Sequence, residues 1–178
     1  DLVMQPTMNG DAGDLTVQCA LHTAVGVSVD RVELTLVREN ARYTQPLSLT
    51  DHWRGDLRIE QVARWWPHTH GKPALYEASL RIWVQGRAEA VAIDLGRVGF
   101  RSVDVDQSQD GFAVKINGVP VFCRGACWTP LDPVTMDGAS AQQYVQAIAQ
   151  VRDAGMNMIR LGGTMSYEAD AFYDECDR

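Results

Sequence analysis

Apolar and polar residues alternate along most of the first hundred positions of this chain. The longest run is Tyr76–Val84, and shorter runs lie within residues 15–21, 32–36 and 91–95. Successive side chains of an extended strand point to opposite faces, so a period of two predicts strands with one buried face. About seven such strands, without a convincing helix, favour an antiparallel immunoglobulin-like β-sandwich over residues 1–105. The side chains expected inside it are Val17, Cys19, Leu34, Tyr76, Leu80 and Ile82.

The charge of the chain limits the classes of partner that it can bind. The 178 residues carry a formal net charge of -7, with 46% hydrophobic and 22% charged residues. A nucleic acid or an anionic membrane needs a basic face, which this balance does not favour. No apolar run approaches the length of a membrane-spanning helix. We therefore predict a globular protein with neither nucleic acid nor membrane as its partner.

The four cysteines do not follow a disulfide or zinc pattern. Cys19 lies on the apolar side of a predicted strand and is expected in the core. Cys123 and Cys127 lie in one extended segment, so their Cα atoms are expected about 13 Å apart, too far for a bridge. A zinc set that adds Cys176 lacks the close ligand pairs of structural sites. We expect buried free thiols, without a metal or another cofactor.

An unusual segment, Trp65–His70, interrupts the strand pattern. His68 and His70 would share one face of a strand and so resemble half of a metal site. Because no third ligand lies nearby in the sequence, a solvated loop is the favoured interpretation. We expect Trp66–Pro67 to close the end of the sandwich, and the tryptophans to pack in the core.

The last third of the sequence begins with a hairpin pattern. Alternating apolar residues lead from Phe112 to Ile116, and Asn117–Gly118 supplies two positions that tolerate positive φ. An apolar strand is expected to return over Val119–Ala126. This strand is expected to enter a packed interior.

A helix and a second strand follow the hairpin. Ser140–Gln143 matches a capping box, and an apolar stripe runs from Tyr144 to Val151 on the predicted helix. The apolar segment Met156–Leu161 predicts the second strand. A strand–helix–strand crossover implies parallel pairing, so residues 106–178 predict the first elements of an incomplete (β/α)8 barrel. The fold class is thus mainly β, with a β/α tail.

Short motifs in this order resemble glycoside hydrolase family 2, and within it the β-mannosidase-like branch. Each motif is weak by itself, but their order and spacing across nearly the whole chain are specific. The motifs are Trp66–Pro67, Leu75–Tyr76, Val98–Arg101, Ile116–Val121, Arg124–Gly125, Trp128–Asp132, Met156–Arg160, Tyr167–Glu168 and Phe172–Tyr173.

The resemblance implies a fragment of a retaining, exo-acting β-glycosidase, with an immunoglobulin-like domain before the start of a catalytic barrel. It implies β-mannosidase, so the expected ligand of the parent protein is a terminal β-D-mannosyl group or a related glycan. Two departures leave exo-β-glucosaminidase or another β-glycosidase open. Family members usually carry a tryptophan and a third glycine where this chain has Leu161–Ser166, and often an Asn in place of Cys127.

The resemblance also implies which residues take part in the site. The acid/base and the nucleophile of the family follow later barrel strands, so both are expected beyond Arg178 and the fragment alone is expected to be inactive. Arg160 would support the nucleophilic carboxylate, or form an ordinary salt bridge. Trp128 would form a wall of the sugar subsite, or pack in the core. Asp132 would accept hydrogen bonds from sugar hydroxyls, or serve as a turn residue before Pro133.

The carboxylates near the end of the chain have a simpler interpretation. They are expected on a solvated face and at a helix N-terminus: Glu168, Asp170, Asp174, Glu175 and Asp177. The alternative functions are a non-catalytic sandwich that binds carbohydrate and a structural or interaction module. The tail is expected to fold back on the sandwich, to pair with a second copy, or to be mobile.

Overall fold

The structure, a computed structural model, describes residues 1–134, 139–164 and 166–178. The chain divides into two compact units. Asp1–Trp65 and Ala74–Ser102 form the first unit, and Trp66–Pro73 and Val103–Arg178 form the second. The loop Trp66–Pro73 therefore belongs to the second unit, although in the sequence it separates the two segments of the first unit.

The first unit is an antiparallel β-sandwich, as the alternating pattern predicts. Its sheet has the strand order β1-β2-β5-β4-β3-β6-β7. The strands are β1 (Leu2–Asn9), β2 (Ala12–Cys19), β3 (Val29–Arg38), β4 (Ala41–Leu49), β5 (Trp53–Ile59), β6 (Leu75–Val84) and β7 (Val91–Gly99). Every pairing between neighbours is antiparallel.

The sheet curls where β4 meets β5. These strands pair only at Ser48 with Arg54 and at Leu49 with Trp53, whereas the other strand pairs are longer. Next to this junction, a Cβ on Gly55 would lie 2.6 Å from Cδ2 of Leu47, so glycine leaves room for that buried side chain. The short pairing joins two parts of the sheet whose inner faces enclose one core.

The core confirms the predicted set of inward side chains. Val17, Cys19, Leu34, Tyr76, Leu80 and Ile82 are all buried in one cluster. Phe100 joins them: its ring packs edge-on to Tyr76 at 5.4 Å, and a Cβ on Gly13 would lie 2.7 Å from it. The Tyr76 hydroxyl accepts a hydrogen bond from the Ala63 backbone N–H at 2.8 Å. A fully buried apolar side chain of this size contributes about 2 kcal/mol, so this cluster is the main stabilising element of the unit.

The expectation that Trp65 and Trp66 pack in the core is wrong, because both are only half-buried. Arg31 stacks on the ring of Trp83 at 3.6 Å, and Arg101 stacks on Trp65 at 4.3 Å. The indoles of Trp83 and Trp65 therefore present one face to a guanidinium group, which cation–π attraction and the apolar stem of arginine both favour.

The second unit begins with a small antiparallel sheet of order β10-β9-β8. Its elements are β8 (Val103–Asp106), a 3₁₀ turn (Ser108–Asp110), β9 (Ala113–Ile116) and β10 (Val119–Val121). Asn117 and Gly118 have φ of 51° and 79°, the conformation of the predicted two-residue hairpin turn. The hairpin prediction is confirmed.

The predicted strand Val119–Ala126 is wrong, because it consists of two strands in two different sheets. It breaks at Phe122–Arg124, between β10 and β11 (Gly125–Trp128). The side chain of Asn157 binds backbone groups that a continuous strand would use to pair with its neighbour. Its Oδ1 accepts from the Arg124 N–H at 2.8 Å, and its Nδ2 donates to the Phe122 carbonyl at 3.1 Å.

The crossover after β11 forms as predicted. α1 (Ala141–Asp153) leads to β12 (Met158–Leu161), and β12 pairs parallel with β11. Ser140 caps α1 through a capping box with Gln143. Helix α2 (Asp170–Asp177) follows. The described part of the chain contains no helix long and apolar enough to cross a membrane.

The loop Trp66–Pro73 groups with the second unit, and its role in closing the end of the sandwich remains a prediction. His68 is exposed and donates from Nε2 to the Met156 carbonyl at 2.7 Å. Asn157 Nδ2 donates to Oγ1 of Thr69 at 3.1 Å. These bonds fasten the loop to the start of β12, so His68 has a structural hydrogen bond.

The cysteines are free, as expected, but only Cys19 is buried. Cys123 is half-buried, whereas Cys127 and Cys176 are exposed, so the expectation of buried thiols is wrong for these two. In β11, Cys127 and the two residues before it are all exposed.

Candidate functional site

The candidate site lies at the carboxyl ends of β11 and β12, where α/β folds carry their functional residues. In the parallel register, Cys127 lies opposite Arg160 and Trp128 opposite Leu161. The pairing thus brings Trp128 and Arg160 to adjacent positions on neighbouring strands. Gly125 begins β11, and its Cβ would lie 1.9 Å from the Met158 carbonyl oxygen. Glycine is therefore required for the close approach of these two strands.

Trp128 is held by two different contacts. Its ring packs on Phe172 of α2, with centroids 4.9 Å apart and planes inclined at 48°. Its Nε1–H donates to Oε1 of Glu168 at 2.8 Å. Trp128 is half-buried, so it is neither a fully packed core residue nor a loose surface residue.

Glu168 does not lie on a solvated face, and the expectation for this residue is wrong. It is 8% exposed and, among the described residues, is the one buried charged side chain. Its second oxygen, Oε2, accepts a hydrogen bond from the Tyr144 hydroxyl at 2.5 Å. The two donors come from β11 and α1, which a linear sequence does not place near Glu168. By contrast, Asp170 is exposed in the first turn of α2, as predicted.

Tyr144 connects this carboxylate to the start of α1. Its side chain is fully buried, and its hydroxyl accepts from the Ala139 N–H at 2.9 Å. Burial, and then the hydrogen bond to Glu168, raise the pKa of the Tyr144 hydroxyl above its ordinary value. The hydroxyl therefore remains a proton donor to Glu168 at neutral pH.

Arg160 is exposed, and its Nη1 donates to Sγ of Cys127 at 3.6 Å. A thiol is a weak acceptor, and a guanidinium has five N–H donors in a planar fork. This contact therefore leaves Arg160 the capacity to bind a carboxylate in a bidentate way.

Asp132 lies in the loop after β11 and is half-buried. Its Oδ1 accepts from the Val134 N–H at 2.9 Å, which is an Asx turn around Pro133. The turn interpretation of Asp132 is therefore observed, and a contact with sugar hydroxyls remains a prediction. Met165, within the segment that departs from the family pattern, lies outside the described residues.

The described residues contain no group of three or more His, Cys, Asp or Glu side chains that could hold a metal ion. The site is thus built from an indole, a guanidinium, a turn carboxylate and the buried Glu168–Tyr144 pair. This arrangement can present an aromatic face and a cation to a polar ligand.

Comparison with known protein families identifies the family of this chain. The family model described as "Glycosyl hydrolases family 2" matches residues 1–101. The chain belongs to this family.

Relatives and solved structures agree with this assignment. Beta-mannosidase B of Aspergillus niger is 32% identical over 157 residues, which cover 83% of this chain and 18% of that protein. Beta-mannosidase B of Aspergillus terreus is 36% identical over 123 residues, 67% of this chain and 14% of that protein. The chain therefore spans less than a fifth of the length of these curated relatives.

Two solved structures share the fold. The exo-beta-D-glucosaminidase CsxA superposes with a TM-score of 0.68 at 23% identity, over 99% of this chain and 21% of that chain. The Bacteroides uniformis beta-glucuronidase superposes with a TM-score of 0.71 at 15% identity, again over 99% of this chain and 21% of that chain. At these identities the similarity establishes the fold alone.

Proposed function

We propose that this chain is a segment of a retaining, exo-acting β-mannosidase, which hydrolyses terminal β-D-mannosyl residues as the full-length gene product. The observation that carries the proposal is the 32% identity to beta-mannosidase B over 157 residues. Because the family match ends at residue 101, an alignment of this length also includes part of the second unit. The similarity thus extends into the segment with the candidate site.

The domain organisation follows from the same proposal. Residues 1–105 are an immunoglobulin-like domain, and residues 106–178 are the N-terminal portion of a (β/α)8 catalytic barrel. The parallel pair of β11 and β12, connected through α1, supports the barrel assignment. A parallel pair with an intervening helix is the repeating unit of such barrels.

The chemistry needs two carboxyl groups about 5 to 5.5 Å apart, one as acid/base and one as nucleophile. We expect neither in this chain. Both oxygens of Glu168 already accept hydrogen bonds from Trp128 and Tyr144, and Asp170 is exposed on α2. The catalytic pair is therefore expected beyond Arg178, and the 178-residue chain alone is expected to be inactive.

The residues of this chain would bind and orient the substrate and the nucleophile. Arg160 would donate to the nucleophilic carboxylate and favour its ionised form. The face of Trp128 would pack on the C–H face of the pyranose ring. Asp132 would accept a hydrogen bond from a sugar hydroxyl.

Exo-β-glucosaminidase is the second candidate function. It is favoured by Leu161 and Cys127, which depart from the mannosidase pattern. A non-catalytic sandwich module is disfavoured, because it gives no reason for the parallel unit of β11, α1 and β12.

The test is a panel of aryl β-glycosides with the full-length gene product. We expect the highest kcat/KM for the β-mannoside, and NMR of the first product is expected to show the β-anomer, as retention requires. A higher kcat/KM for the β-glucosaminide would select the second candidate. Inversion, or no turnover of any glycoside, would overturn the proposal.

A further inference from the structure

We propose that Glu168 is a positioning residue for the sugar subsite, because its buried carboxylate fixes the indole of Trp128 in the orientation that meets the glycoside. This inference rests on the proposed function, in which Trp128 forms a wall of that subsite. The proposal assigns to Glu168 no contact with the reacting atoms.

The burial of Glu168 is the first observation. A carboxylate removed from water costs several kcal/mol unless hydrogen bonds replace its hydration. Each Glu168 oxygen accepts one such bond, from Trp128 at 2.8 Å and from Tyr144 at 2.5 Å. An apolar side chain of similar volume would need no such replacement, but it would leave the indole N–H and the Tyr144 hydroxyl without this acceptor. The carboxylate thus supplies something that an apolar residue cannot, a directional acceptor for the indole N–H.

The second observation concerns the orientation of the indole. Packing against Phe172 restrains the distance and the tilt of the ring but not the direction of its N–H edge. A hydrogen bond weakens steeply away from linearity, so the bond from Nε1 to Glu168 selects one orientation of that edge. The two contacts together leave the indole with one favoured placement.

The third observation is that the carboxylate is itself held in place. The Ala139 N–H donates to the Tyr144 hydroxyl, which donates to Glu168. The orientation of Trp128 therefore depends on the N-terminal end of α1 as well as on the segment before α2. A connected network of hydrogen bonds restricts the orientation of its side chains more than isolated hydrogen bonds do.

The experiment is a double-mutant cycle in the full-length gene product, with kcat and KM measured for the preferred aryl glycoside. Glu168→Gln keeps the size of the side chain but cannot accept both bonds, and we expect kcat/KM to fall about tenfold, chiefly through KM. Trp128→Phe keeps an aromatic ring without the N–H and is expected to lose at least as much. In the Trp128→Phe background, Glu168→Gln is expected to cause little further loss, because its effect passes through the indole.

The matched control is Asp170→Asn, which removes the same charge two residues away at an exposed position; its kinetics are expected to equal those of the unchanged enzyme. If Glu168→Gln does not fold, Tyr144→Phe replaces it in the cycle with the same expectation of coupling. Two results would overturn the positioning role alone. In the first, the losses in kcat/KM from Glu168→Gln and Trp128→Phe multiply in the double variant. In the second, the Glu168→Gln enzyme has a lower Tm but an unchanged KM. An enzyme that hydrolyses no glycoside would overturn the proposed function and this inference together.

Discussion

Arg160 and Cys127 lie opposite each other in the parallel pair of β11 and β12, and Nη1 of Arg160 donates to Sγ of Cys127 at 3.6 Å. This hydrogen bond uses one N–H group of the guanidinium and holds the side chain at the end of β12. The remaining N–H groups of Arg160 retain their capacity for a carboxylate. We propose that Arg160 is the cation that would support the nucleophile of the full-length gene product.

Arg160→Ala in the full-length gene product is expected to reduce kcat/KM by about 2 to 3 kcal/mol of transition-state stabilisation, the value of one charge-assisted contact. The free energy of unfolding is expected to change little, because the side chain is exposed. Steady-state kinetics and thermal unfolding measure both quantities. The matched control is Arg152→Ala, an exposed arginine on α1, for which an unchanged rate is expected. An unchanged rate for Arg160→Ala with a lower Tm would assign it a structural salt bridge instead.

Gly125→Ala is expected to disrupt the pairing of β11 with β12. The new Cβ would lie 1.9 Å from the Met158 carbonyl oxygen, which belongs to the backbone and has no rotamer to change. We expect a loss of about 3 kcal/mol or more in the free energy of unfolding, measured by denaturant titration of the full-length gene product. Gly163→Ala is the matched control, because its Cβ would meet nothing within 4 Å. Equal stabilities of the two variants would contradict the close approach of these strands.

Much of the fold could be predicted because its causes are local in the sequence. The period of two identifies Leu34 and Leu80 as core residues, and Asn117–Gly118 adopts the positive φ values that its hairpin needs. The capping box at Ser140 likewise uses neighbours within one helical turn.

The remaining features depend on partners that are distant in the sequence. Glu168 is buried because Trp128 and Tyr144 approach from 40 and 24 residues away. The strand beyond Val121 ends because Asn157 binds its backbone. A single polar residue gives no local signal of such contacts, so both features escaped prediction. By contrast, the position of Trp128 and Arg160 on adjacent strands followed from the predicted parallel crossover.

The pH dependence of stability is expected to reveal Tyr144. Burial, and next the bond to Glu168, raise its pKa in the folded state, so its contribution is fully present below the unfolded pKa of about 10. That contribution is lost as the pH rises through the higher folded pKa. Unfolding of the 178-residue chain between about pH 8 and pH 11 should show a weaker alkaline decline in Tyr144→Phe. Tyr167→Phe, at an exposed position, is the control. Identical profiles for unchanged protein and Tyr144→Phe would contradict the assignment.

The isolated 178-residue chain is expected to associate with a second copy. The second unit exposes apolar side chains such as Phe122 and Met158 next to a two-stranded parallel sheet, and exposed strand edges favour pairing. Sedimentation is expected to show concentration-dependent dimers, and Phe122→Ser should weaken them by about 2 kcal/mol. Val25→Ser, at an exposed position of the first unit, should not. A strictly monomeric chain with an ordered second unit would contradict this expectation.

We propose that this chain is part of a β-mannosidase whose catalytic carboxylates lie outside it. The most direct measurement compares hydrolysis of an aryl β-D-mannoside by the full-length gene product and by the purified 178-residue chain, at equal molar concentration. We predict turnover by the full-length gene product and none by the chain above a mock purification. Turnover by the chain itself, or none by the full-length gene product, would contradict the account.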